Sequence, residues 1–261
     1  MTYKFFQTDK FFIPFSQTID TFSLPKSFDM NSPHPLAVTA AKDLQQYLQV
    51  QKDWEHNFGL IPGQKGKVVG KMFGVLVVKT TQEKIGYLAA FSGKLANSNQ
   101  HGKFVPPVFD SLSNQSFVND GMRELSHLNI EIKDLENSFP GNDEQLRLLK
   151  SKRRNHSISL QKKIFDQYFF LNQAGLEKSL SQLFANAFYK NPPSGAGECA
   201  GPKLLQYAFQ NQMTPLTLAE FWWGLSPKSA QWKHGNFYPC CKEKCQPILQ
   251  HMLEGLGKKK I

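Results

Sequence analysis

The chain has no cysteine in its first 198 residues, no long apolar run and no acidic surplus. Because no apolar stretch approaches the roughly 20 residues that a membrane-spanning helix needs, we expect no membrane partner. Asp9 and Lys10 interrupt the N-terminal segment early, which is not the pattern of a signal peptide. These absences favour a cytoplasmic location, where clustered cysteines bind metal more often than they pair.

The sequence is also poor in arginine, although it is rich in lysine and phenylalanine. Its 31 basic and 21 acidic residues give a formal charge of +10, and only four of the basic residues are arginine. A lysine-dominated surplus suits diffuse attraction to phosphate better than bidentate reading of base edges. The charge therefore indicates contact with nucleic acid, with a basic soluble surface as the alternative. The chain is 40% hydrophobic and contains 22 Phe, a composition that excludes a disordered chain.

Apolar periodicity predicts a helix and a β-hairpin in the first half of the chain. Good helix formers with one apolar face predict a helix over 37–50. Two near-continuous apolar runs, at 71–79 and 85–91, predict strands in a sheet that is covered on both faces. The aromatic, proline-punctuated residues 1–34 predict an irregular or short-strand arm.

A long helical hairpin is predicted next. Apolar residues alternate in threes and fours from Met122, and a turn at 139–142 separates two helices, the second of which extends to Leu171. The middle of the second helix is polar all round and basic, so it is either a solvated face or a surface that contacts RNA. Its basic residues are the nucleic-acid candidates Lys150, Lys152, Arg153, Arg154, Lys162 and Lys163.

All four cysteines lie in the last quarter of the chain: Cys199, Cys240, Cys241 and Cys245. Such clustering predicts a bound metal ion or a disulfide pair, with buried free thiols as the remaining alternative. Cys199 falls at the start of one predicted helix, and the other three fall at the start of the last one. Because the positive end of a helix favours a thiolate, two such starts at one point would suit Zn²⁺. Three thiolates would leave one open, catalytic position, whereas an added histidine would close the site.

This pattern is similar to that of the zinc-dependent nucleobase deaminases. There, one ligand lies in a His/Cys-x-Glu motif and two lie in a Pro-Cys-x-x-Cys motif, each opening a helix. Here Gly201 replaces the proton-carrying glutamate, and the second pair is one residue too widely spaced. Glu198 is the substitute catalytic candidate, with a carboxylate favoured by the helix dipole as the alternative. The metal candidates are Cys199, Cys241 and Cys245, with Cys240 and His234 as additional ones.

The expected fold class is α/β, with α+β as the alternative. We predict a three-layer, deaminase-like sheet with helices on both faces, interrupted by an inserted antiparallel helical hairpin. In the second half, a helix with Pro202 in its first turn, a strand at 216–223 and a helix at about 241–253 complete the core. The predicted divisions are the arm, helix and β-hairpin at 1–117, the inserted hairpin at 118–190, the cysteine-bearing half of the core at 191–256 and a basic tail at 257–261.

Five stretches of the sequence are distinctive. They are 70–77 (GKMFGVLV), 104–110 (FVPPVFD), 193–208 (PSGAGECAGPKLLQYA), 219–229 (AEFWWGLSPKS) and 233–239 (KHGNFYP). Together they resemble the long N-terminal region of certain bacterial RluA-type pseudouridine synthases. The resemblance covers the chain from about residue 35 to 256, and the tryptophan–histidine–cysteine stretch is its most specific part.

Synthases of that family carry their catalytic aspartate in an Arg-Leu-Asp motif of a separate C-terminal domain, and no Arg-Leu-Asp occurs here. The resemblance therefore implies an accessory module of RNA modification that binds RNA, is stabilised by zinc and does not isomerise uridine by itself. Its expected partners are rRNA or tRNA and a pseudouridine synthase chain or domain. The alternative is a zinc-dependent deaminase that acts on a nucleobase or nucleotide.

Overall fold

The structure is a computed structural model that describes residues 10–20, 23–29, 32–112, 117–138, 143–185, 191–228 and 231–256. The elements follow one another as β1 Ile13–Pro14, α1 Pro35–Val50, β2 Lys71–Lys79, β3 Ile85–Phe91, α2 Phe117–Ser138, α3 Asp143–Phe165, β4 Phe169–Leu171, β5 Glu177–Ser179, α4 Leu180–Ala185, α5 Ala200–Gln210, β6 Thr214–Trp223, β7 Phe237–Tyr238 and α6 Lys242–Met252.

A five-stranded sheet lies at the centre, with strand order β1-β3-β2-β6-β7 and antiparallel neighbours throughout. β2 and β3 occupy the two predicted apolar runs. Because β2 is antiparallel to both of its neighbours, its start lies beside the ends of β3 and β6. Phe73 is opposite Phe91, and Lys71 is opposite Trp223. We call this the Lys71 end of the sheet.

Helices cover both faces of the sheet, as its continuous apolar strands predicted. On one face, Leu44 of α1 shares a buried cluster with Val75 of β2. On the other face, Leu204 of α5 and Ile248 of α6 share a second buried cluster with Leu76 of β2. The neighbouring residues of β2 thus point into different cores, and the chain forms a mixed α/β structure of three layers.

α2 and α3 form the predicted helical hairpin. Leu128 and Ile132 of α2 and Leu160 of α3 are buried. Leu160 lies so close to Gly121 that an added Cβ there would be 2.5 Å from Leu160 Cδ1, so glycine lets the two helices approach. The turn predicted at 139–142 lies outside the described residues.

The second helix of the hairpin ends earlier than its apolar spacing predicted. It ends at Phe165 instead of continuing to Leu171, and the last three residues of that predicted span form β4, which pairs with β5. Tyr168 and Leu171 continue the helical spacing, but Tyr168 and Phe170, two residues apart, are buried in the core on the α5–α6 face. The ring of the buried His251 also hydrogen-bonds to the Phe170 carbonyl. Tertiary packing therefore overrides the local pattern.

The second half of the core matches its predicted elements, with small shifts of their ends. α5 begins just before Pro202, β6 contains the predicted strand, and α6 matches the last predicted helix. β7 is an addition: it lies inside the predicted loop 224–239 and pairs with Glu220 and Phe221 of β6. None of the helices described here is long and apolar enough to cross a membrane.

Candidate metal centre and its surroundings

Two helices begin close together at the Lys71 end of the sheet. Cys199 is the N-cap residue of α5 and Cys241 is the N-cap residue of α6, and neither side chain makes a capping hydrogen bond. α5 can approach the sheet because β2 has Gly74 below it, where an added Cβ would lie 2.9 Å from the Ala200 Cβ. Because neither thiol caps its own helix, both can point towards a common centre, where the positive ends of the two helix dipoles favour a thiolate.

Three sulfurs meet at this centre. The Sγ atoms of Cys199, Cys241 and Cys245 all lie within 4.8 Å of one another, and those of Cys241 and Cys245 are 3.3 Å apart. A tetrahedral zinc ion with Zn–S bonds of about 2.3 Å separates its sulfurs by roughly 3.8 Å, so the spacing fits such an ion. Cys245 is buried, Cys199 is half-buried and Cys241 is exposed, which leaves one side of the cluster open. The structure thus confirms that cysteines distant in sequence lie within reach of one metal ion.

The three thiols share their protons unequally. Hydrogen bonding with the Cys199 and Cys245 thiols, together with the backbone N–H groups of Lys244 and Cys245, holds the pKa of Cys241 far below its ordinary value. Hydrogen bonding with Cys199 and with Cys241 raises the pKa of Cys245, and hydrogen bonding with Cys241 raises that of Cys199. The cluster therefore favours the negative charge on Cys241, and a bound metal ion would displace the protons that remain on the other thiols.

Sequence reasoning missed one acidic residue beside the cluster. Glu220 of β6 is 5% exposed, and its Oε1 accepts a hydrogen bond from the Gly201 N–H at 2.9 Å. A Cβ added at Gly201 would lie 3.5 Å from that same oxygen and 3.4 Å from the Cys240 sulfur. The Glu220 carboxylate extends from β6 to the side of α5 where a side chain at position 201 would lie. A charged residue inside the apolar run 216–223 was the only signal for it.

Burial dominates the protonation of this carboxyl. It raises the pKa of Glu220 to about 7, while the hydrogen bonds from Cys240 and Gly201 act in the opposite direction. Burial also raises the pKa of the Cys240 thiol, and the negative charge of Glu220 adds to that effect. Cys240 is therefore a protonated donor to Glu220.

Glu198, the predicted catalytic residue, lies in a different network. It accepts a hydrogen bond from the Tyr168 hydroxyl, and Lys203 Nζ lies 3.6 Å from its Oε2. Lys203 is 2% exposed and also donates to the carbonyls of Phe91 and Gly93, at 3.2 and 3.3 Å. Burial lowers the pKa of Lys203, and burial together with Glu198 raises that of Tyr168. This network fixes the turn that precedes Cys199.

Two of the five metal candidates lie outside the three-sulfur cluster. Cys240 contacts Glu220 instead. His234 accepts a hydrogen bond from the Gly224 N–H through Nδ1, and its ring packs 4.2 Å from that of Trp223. The structure therefore does not bring His234 to the sulfurs as a fourth ligand, because its ring contacts Gly224 and Trp223 in the region that connects β6 to β7.

All six predicted nucleic-acid residues are exposed, and three of them have a partner on α2. Lys150 and Lys152 lie 2.8 and 3.6 Å from Glu136 and Glu124 of α2, and Arg153 donates to Asn129. The other three are exposed and take part in no ion pair within the described ranges: Arg154, Lys162 and Lys163. Half of the predicted basic group is thus engaged inside the hairpin itself.

Comparisons with protein-family models, with curated proteins and with solved structures give no match for this chain. We therefore infer the function of the protein from the geometry of its site.

Proposed function

We propose that Cys199, Cys241 and Cys245 bind one zinc ion in a cytoplasmic accessory module of RNA modification that contacts RNA. The observation that carries this proposal is the meeting of three sulfurs, from two helix starts more than 40 residues apart, within 4.8 Å. Thiolates at that spacing suit zinc, and three of them leave a fourth position for water or another ligand. The ion would fasten α5 to α6 and stabilise the Lys71 end of the sheet.

The RNA part of the proposal has separate support. The chain carries a formal charge of +10, and exposed cations lie along α3. Phosphate contacts of this kind give affinity without sequence specificity. The sequence resemblance to RluA-type synthases favours RNA over other polyanions.

Metal analysis of protein purified under reducing conditions tests the zinc proposal. We expect one zinc per chain in the wild type and a loss of at least tenfold in zinc affinity for Cys199→Ser and Cys245→Ser. Cys240→Ser is the matched control and should retain one zinc, because its sulfur lies outside the cluster. A wild-type protein without zinc that melts at the same temperature with and without chelator would refute the proposal, since a metal that binds the folded state must stabilise it.

A zinc-dependent deaminase is the second candidate function. Two observations favour it: one side of the cluster is open at the exposed Cys241, and the buried carboxylate of Glu220 lies beside Gly201. A zinc ion in such an open site lowers the pKa of bound water and makes it a nucleophile near neutral pH. The release of ammonia from an amino-substituted nucleobase separates this function from a purely structural zinc site.

A further inference from the structure

The carboxylate of Glu220 lies where the sequence motif lacks a glutamate. Its Oε1 is 2.9 Å from the Gly201 backbone nitrogen and 3.5 Å from the position of an added Gly201 Cβ. Gly201 is the second residue after Cys199, the position that holds glutamate in the Cys-x-Glu pattern. The strand therefore supplies a carboxylate to the place that the helix leaves vacant.

The burial of the Glu220 carboxylate is unfavourable for the stability of the folded protein. It is 5% exposed, and no Lys, Arg or His of the described segments forms an ion pair with it. Its partners are the Gly201 N–H and the Cys240 thiol, and both are neutral donors. An ionised carboxylate that is buried without a countercharge destabilises the folded state. A buried acid that lies beside a metal-binding cluster and lacks a countercharge is typical of a catalytic group.

We propose that Glu220 is the proton carrier of a hydrolytic deamination at the three-sulfur cluster, with an amino-substituted nucleobase ring as the substrate class. This inference depends on the zinc site proposed above. It assigns the proton transfers to a residue of β6 instead of to Glu198. The carboxylate of Glu198 has the positive charge of Lys203 beside it, whereas the two partners of Glu220 are neutral.

The step balances with water as the only co-reactant. A water molecule at the open side of the cluster gives one proton to Glu220, and its oxygen forms a bond to the ring carbon that bears the amino group. The electrons of the carbon–nitrogen double bond move to the ring nitrogen, which takes the proton from Glu220. Glu220 then transfers the second proton of that oxygen to the amino group. The carbon–nitrogen bond breaks, and ammonia and the keto product leave.

The test measures ammonia release by the zinc-loaded, full-length protein. The substrates are cytidine, adenosine and single-stranded RNA oligonucleotides that contain C or A. We expect ammonia and keto product in equal amounts, and a rate at least about 100-fold lower for Glu220→Gln, because general acid–base groups contribute 10²–10⁴-fold. Zinc content should stay at one per chain in that variant. Glu177→Gln, on the exposed strand β5, is the matched control and should keep the wild-type rate.

A second variant covers the case in which Glu220→Gln does not fold. Glu220→Asp keeps the charge but withdraws the carboxylate by one methylene, and we expect it to lower the rate at least tenfold while zinc remains bound. Full activity in the Gln variant would overturn the inference, and so would activity lost through Glu198→Gln alone. A zinc-loaded wild type that releases no ammonia from any of these substrates also overturns it and leaves the zinc proposal intact, whereas absence of zinc overturns both.

Discussion

At the residue scale, the site combines three sulfurs with one buried acid. Hydrogen bonding with the other two thiols and with backbone N–H groups lowers the pKa of Cys241, whereas burial raises the pKa of Glu220. Opposite pKa shifts of neighbouring acidic groups are typical of groups with different chemical roles. They agree with the proposed roles of Cys241 as a ligand and of Glu220 as a proton carrier.

The raised pKa of Glu220 predicts a pH-dependent stability in the zinc-free protein. Its folded-state pKa of about 7 exceeds the ordinary value of 4.5. A carboxyl with a raised folded pKa contributes stability below its unfolded pKa and loses it as the pH rises through the folded pKa. Relative to Glu220→Gln, we expect the wild-type free energy of unfolding to fall by about 2–3 kcal/mol between pH 5 and pH 8, since one pKa unit corresponds to about 1.4 kcal/mol.

Urea unfolding of both proteins at these two pH values, with chelator and reductant present, measures this difference. Because all other titrating groups are shared, the comparison isolates position 220. A gap between wild type and variant that stays constant, or that widens in favour of the wild type at pH 8, would contradict the burial of an ionisable carboxyl.

At the element scale, the exposed cations of α3 differ in whether they have an ion-pair partner on α2. Lys150 and Lys152 lie near carboxylates of α2, so their charges are partly offset within the hairpin. Arg154, Lys162 and Lys163 are exposed. The same helix therefore offers a test group and an internal control group for RNA binding.

We predict that the triple variant Arg154→Ala/Lys162→Ala/Lys163→Ala lowers the slope of log affinity against log salt by about 2–3, because each lost phosphate contact removes roughly 0.7–0.9. Lys150→Ala/Lys152→Ala should lower the slope by less than about 1. Titration of a structured RNA at several salt concentrations gives both slopes. Equal slopes for the two variants would contradict the assignment, and a wild type that does not bind RNA near physiological salt would contradict RNA contact itself.

Sequence periodicity predicted the elements that bury continuous or one-sided apolar surface. β2 and β3 were predictable because their apolar runs are uninterrupted and bounded by polar residues. The end of α3 was not, because Tyr168 and Leu171 continue a helical spacing although the segment turns into the core. When apolar residues fall on the same positions in both cases, local spacing cannot distinguish a helix that continues from one that has ended and is followed by a strand.

The sequence predicted the metal-binding cysteines of the site but not its buried acid. Cysteines that precede two helices of one layer were expected to meet, and Cys199 and Cys241 do so. The role of Glu220 depends on how closely α5 packs on β2 at Gly74 and on which face of β6 the carboxylate points to. Both are long-range contacts, which a reading of neighbouring residues does not contain.

At the scale of the whole molecule, the inserted hairpin separates the two halves of one core. β2 and β3 come from before the insertion, and α5, β6 and α6 come from after it, yet they share the buried cluster that contains Leu76 and Ile248. The sulfurs gather where this joined sheet meets two helix starts.

X-ray absorption at the zinc edge of the purified, reduced protein is the most direct test of zinc binding by the three cysteines. We predict three sulfur neighbours at about 2.3 Å and one lighter atom, the pattern of an open three-thiolate site. Four sulfurs, which would bring Cys240 into the site and close it, would contradict this prediction, and so would a protein that holds no zinc.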